Sequence, residues 1–213
     1  MPPPHDDSTA TYTGGVADTP VSKAATAALL TLVLGLALAT RLHHLNTTSF
    51  WHDELQSACW AQRYTLAQLF KLGPPPLHTA TLRVLSGFGR RPSQMLYRLE
   101  SVAFGVLSVY WLYRLGRRLH SRSYGLAVSA LLAVSAFHIW HSQQARYYVL
   151  VMLLTVVMIE QCVAWLQTDR WRNAIAAAAA AAGMVLSHYY AAIVLPGLVV
   201  FLLIARLAHP RAT

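Results

Sequence analysis

Residues 24–42 read AATAALLTLVLGLALATRL. As a helix, this run is long enough to cross the ~30 Å hydrocarbon core of a bilayer. Five further apolar runs follow, at about 95–114, 123–140, 147–166, 173–189 and 191–208. In lipid no water is present to bond a bare N–H or C=O, so a spanning segment of this kind must be helical. The chain therefore reads as all-α, a polytopic transmembrane helical bundle of about six spans. Its composition agrees, with 55% hydrophobic residues, 12% charged residues and a mean hydropathy of +0.40.

Three regions are expected. Residues 1–20, rich in Pro, Gly and Thr, form a disordered cytoplasmic tail. Residues 21–208 form the membrane module, with a long outer loop over 43–94 carrying interfacial helices. Residues 209–213 are a cytoplasmic end. The Ala37-Leu38-Ala39 sequence imitates a signal-peptidase site, but the long polar lead and long apolar run favour an anchor. The segment 79–89, TATLRVLSGFG, is short and carries Arg83, so it lies at the interface rather than crossing. The short loops 114–123 (RLGRRLHSRS) and 168–173 (TDRWRN) then face the cytoplasm, while 141–146 (HSQQAR) and 187–190 (SHYY) face outward. That arrangement obeys the positive-inside rule, and the opposite one does not. Pro196 is expected to kink the last span.

The net charge of +9 is explained by this topology, and no nucleic-acid-binding motif is present. Cys59 and Cys162 have neither metal-type spacing nor the placement of a disulfide pair. Carboxylates are scarce, and on the outer side only Asp53, Glu54 and Glu100 remain. Asp53 and Glu54 stand in SFWHDELQSACW, beside His52 and between Trp51 and Trp60. Seven histidines, Arg98, Arg146 and several tyrosines fall near the same surface, as a site there requires. Each also has a plainer reading. Interfacial Arg, His, Trp and Tyr anchor spans, and an acidic pair at a helix start serves as an N-terminal cap.

Several stretches then coincide in order: WHDE after the first span, PPPLH, YRLESVAFGVLSVYWLYRLGRRL, AFHIWHSQQARYYVL and AGMVLSHYYAAIVLP. Together they resemble the N-terminal membrane module of GT-C glycosyltransferases, closest to the bacterial 39/83 type, over about 24–208. The type is related to protein O-mannosyltransferases and aminoarabinose transferases. The resemblance implies transfer of a sugar from a polyprenyl-phosphate donor to a protein, lipid or glycan acceptor, at the outer face of a multi-pass cell-membrane protein. It places acceptor activation on Asp53, as base or through a metal, with Glu54 in support. A carboxylate within hydrogen-bond reach of a hydroxyl can take its proton. Donor phosphate falls to Arg98 and Arg146, with Arg83, Lys71 and His78 as further candidates. Trp51, Trp60, Gln144, Tyr148 and His188 are the expected sugar or lipid contacts. A divalent metal at Asp53, His52 and His141 is an open alternative. Direct displacement with inversion is the expected chemistry, because no second carboxylate nucleophile is evident.

The chain departs from the family pattern in three ways. The turn opens with Pro74 where His or Lys is usual. Gln144 stands where Glu is usual. The family also continues with further spans, which leaves a fragment, a natural half-enzyme and an inactive relative open as accounts of this chain. The shortened chain and Gln144 keep a rival open, a non-catalytic or fragmentary relative that binds lipid phosphate or a partner membrane protein; the retained Asp53-Glu54 pair opposes it. A transporter, signalled by broken spans with midplane charges, ranks behind both.

Overall fold

The computed structural model describes residues 22–71, 75–87 and 93–208. The expected tail and cytoplasmic end lie outside these residues. Every regular element described is helical. Two helices are long and apolar enough to cross a membrane, α1 (Lys23–Leu42) and α8 (Tyr148–Thr168). A bent pair, α6 (Arg122–Val134) and α7 (Ala136–Ser142), makes a third when taken as one span. The other expected runs are helical too. They are α5 (Gln94–Leu119), with charges towards both ends, α9 (Trp171–Ser187), and a 3-10 turn at Tyr189–Ile193 leading into α10 (Val194–Ala208).

The outer loop folds into three short helices. These are α2 (His52–Arg63), α3 (Leu66–Lys71) and α4 (Pro76–Leu85). The stretch 52–71 thus holds two helices rather than one. Pro76 opens α4 at its first position, where a missing N–H costs nothing. Leu77 and His78 are therefore helical rather than part of the turn. Gly87 closes the segment at φ 62°, a conformation that favours glycine.

Small residues let the bundle close. A Cβ on Gly125 would stand 2.6 Å from the Tyr113 carbonyl oxygen, so α5 and α6 meet backbone to backbone. Ala37, Val109 and Ala133 join α1, α5 and α6. Met158, Ala180 and Met184 join α8 and α9. Above them, Ala58, Ala61, Leu82, Tyr97 and Ala145 form a separate small core that seats α2 and α4 on the start of α5.

Two ends of the bundle differ in chemistry. At one, Glu160 of α8 is fully buried and takes Arg118 at 3.0 Å and Arg114 at 3.2 Å from α5. At the other sit the end of α1, α2, α4 and the 143–147 loop. Two local departures from the sequence pattern are visible. The 123–140 run bends by 64° at Ser135. Arg41 of α1 reaches this break and donates to the Ala133 oxygen at 3.1 Å and the Leu132 oxygen at 3.3 Å. Carbonyls freed by the bend are thereby satisfied. In the last run the break falls at 189–193, and Pro196 sits in the first turn of α10 rather than at a mid-helix kink.

Candidate functional site

The first turn of α2 carries the acidic pair, and the helix puts the two side chains in different places. Glu54 is 1% exposed. One of its carboxylate oxygens accepts Arg98 Nε–H at 3.0 Å and the Ala145 N–H at 2.9 Å. The other accepts Arg98 Nη2–H at 2.8 Å and the Trp51 N–H at 3.4 Å. Reaching back to Trp51, it also caps α2. Arg98 spends its remaining donors on the Leu45, Thr48 and Ser49 carbonyls, at 2.9, 2.9 and 3.3 Å. A guanidinium has five N–H groups, and all five are occupied. Buried ion pairs are tolerated when geometry is good and every remaining site is bonded. This pair meets both conditions and ties α2, α5 and two loops together.

Asp53 has the opposite surroundings. Its side chain is 35% exposed, and Oδ2 lies 3.3 Å from Arg146 Nη2. Arg146 is mostly buried. Its Nη1 donates to the Asp53 carbonyl at 3.0 Å and to Ser57 Oγ at 3.2 Å. Its Nη2 donates to the Tyr147 hydroxyl at 3.4 Å. Its Nε–H has no partner. The Tyr147 ring lies under the guanidinium at 4.7 Å, an aromatic face that favours the cation.

A cavity of about 250 Å³ opens beside Arg146, lined by Ser57, Trp60, His78, Arg146, Tyr147 and His188 among others, with Asp53 outside its lining. His188 stacks on Tyr147 with centroids 4.3 Å apart. His78 Nε2 is buried without a hydrogen-bond partner, 4.0 Å from Glu100 Oε2. Burial first, and the Arg146 charge second, push the His78 imidazole down to about 3. It is a neutral hydrogen-bonding group at physiological pH rather than a cation.

The other expected residues scatter more widely. Arg83 donates to the Ala61 and Gln62 carbonyls, at 2.9 and 3.4 Å, at the end of α2. Lys71 is exposed at the end of α3. Trp51 and Gln144 line a different cavity, which Glu54 and Arg98 also border. Tyr148 lies with its ring 5.7 Å from the Arg146 guanidinium. His52 is exposed at the first position of α2. His141 is packed among the Phe137, Trp140 and Tyr148 rings. Among the described residues no group of three His, Cys, Asp or Glu side chains is disposed to hold a metal ion. Asp53, His52 and His141 therefore do not assemble as a metal site, and no chemistry is routed through one.

Ser57 and Tyr147 complete the Asp53–Arg146 arrangement without having been singled out. Ser57 Oγ donates to the Asp53 carbonyl at 3.0 Å. Its signal in the sequence is its i+4 spacing from Asp53 on one helix face. Tyr147 follows Arg146 directly and has no such signal.

The sequence profile of the dolichyl-phosphate-mannose-protein mannosyltransferase family matches residues 74–212. That stretch includes His78, Arg98 and Arg146, while Asp53 and Glu54 precede it. No curated protein and no solved structure matches the chain.

Proposed function

The chain belongs to the dolichyl-phosphate-mannose-protein mannosyltransferase family, and from that membership and the outer-end geometry we propose that it moves a sugar from a polyprenyl-phosphate donor to an acceptor hydroxyl at the outer face of the cell membrane. It is a membrane glycosyltransferase of the GT-C type. The six helical runs act as spans with both ends in the cytoplasm, so the α2–α4 end faces outward. The observation that carries the reading is the Asp53–Arg146 pair. A part-exposed carboxylate lies 3.3 Å from an arginine that keeps one unspent N–H beside an aromatic cavity.

Arg146 suits a phosphate, because a guanidinium fork meets phosphate oxygens two at a time. When the donor phosphate engages Arg146, the Asp53 carboxylate loses its resting partner and is free to take a proton. The acceptor hydroxyl gives that proton to Asp53, and its oxygen attacks the anomeric carbon. The carbon–oxygen bond to the phosphate breaks, and its electron pair leaves on the phosphate oxygen, where Arg146 offsets the charge. Displacement from the opposite face inverts the anomeric centre. Glu54 and Arg98 serve by position, since neither has a bonding site to spare.

The test is sugar transfer by the purified chain in lipid, with polyprenyl-phosphate mannose as donor. The wild type is compared with Asp53→Asn. Transfer that falls by orders of magnitude while donor binding persists supports the proposal. Donor binding without transfer in the wild type removes it, and a lipid-phosphate-binding protein takes its place.

A further inference from the structure

A second cavity, of about 440 Å³, lies on the other side of the α2 first turn. Its size is within the about 300–1,000 Å³ range of small-ligand sites. Trp51 and Trp140 border it, 45% and 55% exposed. Gln144 borders it too, 8% exposed, with its Oε1 fully buried and without a hydrogen-bond donor. Thr48 and Ser49 contribute to the rim and are exposed.

The charge content of this cavity is settled by its neighbours. Glu54 and Arg98 lie at its border, cancel each other, and have every donor and acceptor site filled. Apart from these two, the one titratable side chain on the lining is the exposed His44, so no fixed charge is left there to attract an anion. A buried carbonyl oxygen without a donor is destabilised, so a Gln144 amide that turns its oxygen to a ligand hydroxyl recovers that loss. The two indoles ask for an apolar face to lie against. A neutral molecule with hydroxyl donors on its edge and C–H groups on its face is a saccharide.

We infer that this cavity binds a neutral saccharide, and that the saccharide is part of the acceptor. The acceptor role rests on the transferase reading above; the binding does not. The α2 turn then separates two duties, with phosphate and reacting groups beside Asp53 and acceptor sugar beside Gln144.

The experiment is a tryptophan-fluorescence titration of the full chain in lipid nanodiscs with mannobiose, a neutral disaccharide. A saturable shift is expected, with the same midpoint in the presence of saturating polyprenyl phosphate. Gln144→Leu and Trp140→Ala each weaken binding at least tenfold. Gln144→Leu removes the unpartnered oxygen and so leaves the fold intact, and Trp140→Phe restores much of the affinity. In the transfer assay, Gln144→Leu raises KM for a saccharide acceptor and not for the donor. The inference is overturned by the absence of a saturable shift, or by one insensitive to Gln144→Leu and Trp140→Ala. Competition by polyprenyl phosphate, or a rise in donor KM alone, gives the cavity to the donor and overturns it too. Saccharide binding without any transfer would support the cavity while sinking the transferase reading.

Discussion

Asp53 and Glu54 are adjacent on one helical turn, and each faces an arginine brought from elsewhere in the chain. Glu54 and Arg98 are sealed in, with four hydrogen bonds on the carboxylate and all five donors of the guanidinium spent. Asp53 and Arg146 meet at 3.3 Å, with the Asp53 side chain part-exposed and Arg146 lining a cavity with one N–H unspent. On the proposed function, the difference separates holding from reacting. A group whose bonding capacity is saturated can fix geometry but has nothing to offer a substrate. Chemistry needs capacity left over.

The comparison can be broken in order of effect. Glu54→Ala leaves Arg98 charged, buried and unpaired. Such a loss costs about 3–5 kcal/mol, so the variant should unfold well below the wild type in a thermal or denaturant scan. Arg146→Ala should act on transfer, lowering it about 10²–10³-fold by removing charge stabilisation at the leaving phosphate. Donor affinity measured by direct binding should fall with it, while stability changes less than in Glu54→Ala.

A third effect is pH-dependent. The His78 pKa is lowered from 6.5 to about 3 in the fold. Between these values the unfolded chain holds a proton that the folded chain does not. Stability present above pH 6.5 is therefore lost progressively as pH falls towards 3. Burial of the ring sets this behaviour first and the Arg146 charge second, with Glu100 and Tyr147 also facing the ring. His78→Gln should flatten that acid limb in unfolding measurements made across the window. The smallest effect belongs to Arg83. Arg83→Met removes its bonds to the Ala61 and Gln62 carbonyls and should cost about 0.5–1.5 kcal/mol, with little change in transfer.

Much of the bundle could be read in the sequence, because apolar length alone dictates helices in lipid. The run 24–42 became Lys23–Leu42, and 147–166 became Tyr148–Thr168. Breaks were harder. At the bend at Ser135, Arg41, more than ninety residues away, donates to the Ala133 and Leu132 carbonyls. An apolar pattern around Ser135 does not contain that partner. In the outer loop, the acidic pair announced a site, but its division of labour was hidden. Glu54 meets Arg98 across 44 residues and the Ala145 N–H across 91. Only the packing of α2 against α5 reveals that one carboxylate is consumed. Resemblance gave Arg98 and Arg146 the same phosphate role, while their hydrogen bonds differ, all donors spent in one and an N–H left over in the other.

The most direct measurement sets Asp53→Asn beside Glu54→Gln in lipid, following sugar transfer and thermal unfolding on the same preparations. The account predicts that Asp53→Asn loses transfer about 10²–10⁴-fold, the range of general-base catalysis, and unfolds like the wild type. Glu54→Gln should unfold earlier and, below its transition, keep most of its transfer. A Glu54→Gln protein that is as stable as the wild type yet inactive, beside an active Asp53→Asn, would contradict it.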